Sequence, residues 1–170
     1  MPELPVYANY FDRYTSLVSE GSVSEAFNNQ DAILDVFMGK VPEERSGYAY
    51  APGKWTLKEL LQHLIDCERI FAYRALAIAR KDPADLPGFE ENDYAANSMA
   101  NNRTWASLTE EMKAVRASTK MLFQSFTDDM LKASGTFNHN RGEVGKLGFI
   151  IVGHTNHHIK IAEERYLADT

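Results

Sequence analysis

The amino-acid sequence predicts an all-α protein, a four-helix bundle with a long crossover connection and short additional helices. Four long stretches carry apolar residues at intervals of three and four, which is the spacing of one helix face. Capping residues stand at the starts of the first three stretches. No pair of segments shows the alternating pattern of paired strands. A chain of 170 residues suits one domain, so we expect residues 1–170 to form a single bundle.

A short lead-in helix and a first long helix are predicted near the start. Aromatic and aliphatic residues in the range 7–18 have helical spacing. In the next segment, SVSEAFNNQDAILDVFMGK, Ser22 and Glu25 have capping-box spacing, and Gly39 and Pro42 end the pattern. The apolar stripe of this helix consists of Phe27, Ile33, Leu34, Phe37 and Met38.

The second long helix is predicted in APGKWTLKELLQHLIDCERIFAYRALAIARKDP. Thr56 and Glu59 form a capping box, and Pro83 ends the pattern. The residues of its stripe are Leu57, Leu60, Leu61, Leu64, Glu68, Phe71, Ala75 and Ile78. The connection DPADLPGFEENDYAANSMANNRT follows, with a short helix predicted around 90–99. It is long enough to cross from one end of a bundle to the other.

The remaining helices complete the bundle. The third long helix is predicted to begin at Ser107, with Glu110 at capping-box spacing, and to run to about Phe126. Thr127 then caps a single turn. The turn-rich segment SGTFNHNRGEVG leads into the fourth long helix, predicted over 144–166.

Composition and charge exclude several function classes. The net charge is −6 and the pI about 5.4, with no block of Lys or Arg, so nucleic acids and anionic membranes are not expected partners. No stretch approaches the ~18 apolar residues of a membrane-spanning helix. The start MPELPVYANYFDRY lacks signal-peptide features, and a single cysteine excludes an internal disulfide. We therefore expect a cytoplasmic protein.

Histidines are concentrated in the segment GHTNHHIKIAEERY of the fourth long helix. His154 and His158 lie one turn apart in the middle of its apolar face, and His157 lies at the edge. Imidazoles at this spacing can converge on one ion. Core packing is the alternative, although two buried imidazoles have four nitrogens that need partners. Spacing alone leaves both interpretations open.

His63, at the flank of the second helix's apolar stripe, is the candidate third ligand. Three neutral nitrogens leave one coordination position open, which is typical of catalytic sites. Cys67, one turn later, is interpreted as inert packing, with a reactive thiol as the alternative. His139 lies between asparagines in a turn, so we predict a solvated loop residue.

Other residues give weaker indications. Asp66, Glu68 and Asn156 are candidate partners for the second nitrogen of a ligand histidine, with a solvated or helix-pairing role as the alternative. Trp55 is interpreted as a packing anchor, with a substrate contact as the alternative. The turn at 87–89 is interpreted as structural, with a position over the site as the alternative. Two metal motifs are excluded: Thr155 replaces the glutamate of H-E-x-x-H, and no histidine has glutamate three positions before it.

Three blocks, YAPGKWTLKELLQHLIDCERIFAYRALAIARKD, LPGFEENDY and GHTNHHIKIAEERYL, resemble the DinB/YfiT-like superfamily in order and spacing. The resemblance implies a four-helix bundle, frequent homodimers, and one divalent ion, zinc or nickel, held by His63, His154 and His158. The characterised members are thiol-dependent enzymes. We therefore expect a metal-dependent enzyme that transfers a metal-activated low-molecular-weight thiol to a small-molecule substrate. The alternatives are a metal-dependent hydrolase and a non-enzymatic metal-binding stress-response protein.

Overall fold

The structure, a computed structural model, describes residues 8–168 and consists mainly of helices. Helices α2, α4, α6 and α8 are long, and the others are short. In chain order they are α1 (Ala8–Thr15), α2 (Val23–Lys40), α3 (Glu43–Ser46), α4 (Leu57–Ala79), α5 (Glu91–Asn97), α6 (Trp105–Gln124), α7 (Asp128–Leu131) and α8 (Val144–Arg165). A 3₁₀ turn covers Ala100–Asn102. The predicted all-α four-helix bundle is confirmed.

The long helices follow a bundle order that differs from chain order. Helix α4 packs against α6 and α8, and α2 packs against the same two helices, so α2 and α4 lie on one diagonal. The crossover connection between α4 and α6 contains α5 and the 3₁₀ turn, as predicted for a long connection with a short helix. In the part of the chain that the structure describes, no helix combines the length and apolar character needed to span a bilayer.

A small three-stranded sheet joins the crossover connection to the segment before α8. β1 (Asp85–Leu86) pairs in parallel with β2 (Ser134–Phe137), which pairs antiparallel with β3 (Asn140–Glu143). The sequence did not predict it, because strands of two to four residues are too short to show alternation. The two turn residues between β2 and β3 both have positive φ, as type I′ hairpin turns require.

Side-chain caps mark the starts of α2, α4 and α6, with one correction to the prediction. Thr56 and Glu59 form the predicted reciprocal box at the start of α4. Helix α6 begins at Trp105 and not at Ser107, because the Thr104 side chain accepts the hydrogen bond from the Ser107 backbone N–H. A threonine N-cap without glutamate at the third position is a weaker sequence pattern than a full box.

Two apolar clusters fill the bundle, and buried polar residues lie between them. One cluster includes Phe27, Phe71, Phe123 and Leu147, and the other includes Leu34, Leu61, Met112 and Ile159. Each long helix contributes one buried side chain to a connected polar group in the bundle interior. We call these four residues the polar layer: Gln30, Glu68, Arg116 and Thr155. Ile33, predicted to lie in the apolar stripe of α2, is instead 48% exposed.

Candidate metal centre

Three histidines from two neighbouring helices meet in the interior of the bundle. His63 comes from α4, and His154 and His158 come from successive turns of α8. The Nε2 atom of His154 lies 3.1 Å from Nε2 of His63 and 3.1 Å from Nε2 of His158. His63 and His154 are buried, and His158 is partly buried. We call this group the histidine triad.

The three nitrogens fit a shared cation better than they fit hydrogen bonding. A neutral imidazole nitrogen holds either a proton or a lone pair. Nε2 of His154 can therefore make a good hydrogen bond with only one of its two neighbours. Nitrogens bound tetrahedrally to zinc at about 2.0–2.1 Å lie about 3.4 Å apart. The observed separations of 3.1 Å are close to this value.

Burial keeps the triad in the protonation state that a metal requires. Loss of solvation lowers the pKa of His63 to about 4 and that of His158 to about 3. It also holds the pKa of His154 well below its usual value, with further lowering by the neighbouring imidazoles. All three rings are therefore neutral near pH 7, and metal binding displaces no proton from their Nε2 lone pairs.

Aromatic rings pack around the triad. The Trp55 ring centroid lies 4.7 Å from that of His63, consistent with the predicted packing anchor. The Tyr14 ring meets His154 edge to face at 5.1 Å. His157, half buried at the edge of the face, contacts Tyr14 with a centroid distance of 5.5 Å. These contacts restrict the orientation of the ligand rings.

Cys67 lies beside the triad and is not activated by its surroundings. Its Sγ atom is 3.6 Å from both ring nitrogens of His63. Burial raises the pKa of the thiol, and the nearby charges of Glu91 and Asp66 raise it further. A protonated, buried thiol agrees with the interpretation of inert packing.

The residues considered as outer partners of the histidines bond elsewhere. Asp66 accepts a hydrogen bond from Gln62 at 2.9 Å, and Glu68 accepts from Arg116. Asn156 accepts from Gln30 at 2.7 Å. Among the described residues, none of the hydrogen bonds made by the three candidates reaches the triad. That hypothesis required the direction of each side chain in the bundle, which helical spacing alone does not give.

His139 lies apart from the triad, as predicted, at the exposed turn between β2 and β3. It nevertheless has specific contacts. Its backbone N–H donates to Asp85 Oδ1 at 3.1 Å, and its Nδ1 lies 2.7 Å from Asp85 Oδ2. These contacts fix β1, and with it the crossover connection, to the hairpin.

A cavity of about 280 Å³ adjoins the triad. His154 and Cys67 contribute to its wall, together with the polar residues Arg74, Glu91 and Asn138. Four aromatic residues and one glycine complete the lining: Phe11, Tyr14, Phe71, Phe89 and Gly88. The turn at 87–89 therefore contributes two residues to the cavity, which supports the alternative that it lies over the site.

The cavity was missed by the sequence analysis. Arg74 is 4% exposed, donates a hydrogen bond to the Pro87 carbonyl at 2.8 Å and lies over the Phe137 ring. The sequence offered one indication of the cavity: Arg74 lies on the apolar side of α4, and a buried arginine needs specific polar partners nearby. The sequence places Phe11 and Tyr14 in the lead-in helix and favours them as apolar surface for a homodimer, not as the wall of a cavity.

Comparison with known proteins supports both fold and family. The sequence profile of the DinB superfamily matches residues 26–162. The fold is similar to that of YfiT from Bacillus subtilis, described as a probable metal-dependent hydrolase with an unusual four-helix bundle topology. The TM-score is 0.66 at 14% sequence identity, covering 96% of this chain and 92% of that chain. No curated protein gives a significant match.

Proposed function

Because the chain belongs to the DinB superfamily, we propose that it is a metal-dependent enzyme acting on a small molecule. His63, His154 and His158 would hold one divalent ion, zinc or nickel. The observation that carries the proposal is the convergence of three neutral imidazoles, one of which, His154, lines a cavity. When bound, the ion would lower the pKa of a thiol or water molecule at its open position.

The donor set favours an anion beside the triad. The three imidazoles are neutral, and among the described residues the triad is the only group of three or more histidine, cysteine or acidic side chains that could hold one ion. The charge of a divalent ion would therefore not be compensated by the ligands. A thiolate is a soft anion that suits zinc and nickel. We propose transfer of a low-molecular-weight thiol as the reaction.

The cavity would bind the second reactant. Its aromatic residues offer an apolar wall that excludes water and packs against a small substrate, while Arg74 and Asn138 place polar side chains in the lining. A protein in which the metal only stabilises the bundle would not need such a cavity beside the ligands. This argues against the non-enzymatic alternative.

Hydrolysis is the second candidate, and Glu91 favours it. This carboxylate lines the same cavity and could accept a proton from an attacking water molecule. The description of YfiT as a probable metal-dependent hydrolase agrees with this reaction class. Thiol transfer and hydrolysis differ in the ligand that would take the open coordination position of the ion, which is a thiol in the first reaction and a water molecule in the second.

Cobalt spectroscopy distinguishes the candidates. Cys67→Ala protein, purified without a histidine tag and loaded with Co²⁺, should develop a sulfur-to-metal charge-transfer band when a dithiol, glutathione or bacillithiol is added. A spectrum that no thiol perturbs would reject the thiol reaction and leave hydrolysis. Elemental analysis of the untagged wild type should find one zinc or nickel per chain. Protein that neither contains a metal nor takes up Co²⁺ would overturn the proposal as a whole.

A further inference from the structure

One guanidinium group connects all four long helices. Arg116 on α6 donates from Nε and Nη2 to the Glu68 carboxylate on α4, with distances of 2.9–3.2 Å. Its Nη1 donates to Gln30 Oε1 on α2 at 2.6 Å, and its Nη2 lies 3.4 Å from Thr155 Oγ1 on α8. The polar layer is thus a single connected network.

The network is built as a rigid unit. Each of its four members is at most 4% exposed. Gln30 Nε2 donates to the Val152 carbonyl, and the Thr155 hydroxyl donates to the Ile151 carbonyl while it accepts from Arg116. A buried ion pair is weak evidence for stability, since apolar replacement of both partners is often neutral or stabilising. The alternative role for such a pair is to fix one arrangement of the helices.

The network lies immediately beside the histidine triad. Thr155 follows His154 on α8, and Gln30 bonds to Asn156 as well as to the Val152 carbonyl, so its two partners flank His154. On α4, Glu68 follows Cys67, whose Sγ contacts the His63 ring. Movement of the network would therefore reach the backbone that holds the ligands on both helices.

The triad forms only if His63 on α4 is held at the right distance from His154 and His158 on α8. His154 and His158 are held four residues apart by α8 itself, whereas His63 depends on the separation and rotation of α4 relative to α8. Arg116 contacts α4 through Glu68 and α8 through Thr155. We propose that Arg116 is a positioning residue that fixes this relationship and so completes the metal site. The inference rests on the proposed metal site.

A double variant separates positioning from stability. Glu68→Met combined with Arg116→Met removes the ion pair without leaving a buried charge, so the bundle should still fold. Its affinity for Co²⁺ should fall by about tenfold or more, the effect typical of residues that orient metal ligands. Thermal unfolding of the metal-free protein, followed by circular dichroism, measures stability independently. Phe37→Leu is the matched control, because it weakens the core at the Phe37–Trp105 contact between α2 and α6 and should leave Co²⁺ affinity unchanged.

A second variant covers the case in which the double variant does not fold. Arg116→Lys keeps a positive charge beside Glu68 but lacks the fork that reaches Gln30 and Thr155 together. It should also lower Co²⁺ affinity by about tenfold. Wild-type affinity and an unchanged Co²⁺ spectrum in either folded variant would overturn the positioning role. Co²⁺ binding that survives the single substitution His154→Ala would instead overturn the metal site on which the inference rests.

Discussion

The backbone carbonyl of Tyr14 lies directly against Gly153. A Cβ atom at position 153 would come within 2.0 Å of that oxygen and 2.5 Å of its carbon. Because the obstacle is backbone, it cannot rotate aside as a flexible side chain would. Helix α1 can therefore lie this close to α8 only because residue 153 has no side chain, and this approach brings the Tyr14 ring against His154.

We expect Gly153→Ala to lower the free energy of unfolding by about 1–3 kcal/mol, the usual range for overpacking, although alanine is the better helix former. Urea unfolding followed by circular dichroism measures this difference in the free energy of unfolding. Gly39→Ala in α2 is the control, since a Cβ there meets nothing within 4 Å and should stabilise by about 0.5–1 kcal/mol. Equal stability of Gly153→Ala and the wild type would contradict the close approach.

Single alanine substitutions of His63, His154 and His158 should each lower affinity for zinc by more than about a hundredfold, because a lost ligand costs more than a lost outer partner. Calorimetric titration of metal-free protein provides the measurement. His139→Ala should keep one ion per chain, because its ring faces Asp85 at the exposed hairpin turn. Unchanged stoichiometry and affinity in His154→Ala would remove the site assignment.

The Cys67 thiol should not react with an aromatic disulfide reagent at pH 7 while the protein is folded. Burial raises its pKa and blocks access, so the reactive thiolate is scarce. One thiol per chain should react after unfolding in guanidinium chloride, which serves as the internal control. Cys67→Ala should still bind one metal ion. Complete reaction of the native protein within minutes would restore the alternative of a reactive cysteine.

Stability of the metal-free protein should decrease as the pH falls below about 6.5. The unfolded chain protonates its histidines near pH 6.5, whereas burial lowers the pKa of His63 to about 4 and that of His158 to about 3 in the folded chain. The unfolded state therefore binds more protons in this window, and each histidine should cost about 1 kcal/mol per pH unit. Denaturation midpoints between pH 7 and 5 measure the slope. His158→Gln should make it shallower, and an equal slope in this variant would show that His158 does not contribute.

The family resemblance also implies a homodimer. Helix α2 exposes Ile33 and Val36 at 48% and 58%, which provides apolar surface for a second chain. By contrast, Tyr14 is buried and Phe11 packs into the core, so these two aromatic residues of α1 do not add to that surface; the side chains of Tyr7 and Tyr10 lie outside the described residues. Light scattering at micromolar concentration should give twice the 19.2 kDa chain mass. A mass of one chain would reject the dimer.

The sequence predicted features that are set within one helix, and it predicted poorly those that depend on how several helices pack together. His154 and His158 lie on the same face of α8 because they are four residues apart, so a helical wheel was sufficient to predict that their side chains meet. The approach of His63 depends on the rotation of α4 in the bundle. Its place at the flank of the apolar stripe made it a candidate, and the family resemblance then supported it. Gln30 and Arg116 were not selected as core residues, because a polar side chain is recognised as buried only when its partners on other helices are known.

The cavity and the sheet were beyond prediction for related reasons. Arg74 and Glu91 come from α4 and the crossover connection, and no local spacing relates them. The short pairing of Asp85 with Thr136 joins residues far apart in sequence. Such contacts require the tertiary arrangement of the chain, whereas the helices were already specified by their caps and apolar periods.

His63 and His154 are 91 residues apart in sequence, so an ion shared by them would act as a reversible covalent-like crosslink. Unfolding separates these ligands, so the site exists only in the folded chain. The ion would therefore stabilise the folded state by mass action, by about 2.7 kcal/mol when free metal stands at about 100 times its Kd. Metal loss would then open the loop and raise the population of unfolded chains available to proteases. The abundance of this protein in a cell would follow its metal supply, even with no change in its synthesis.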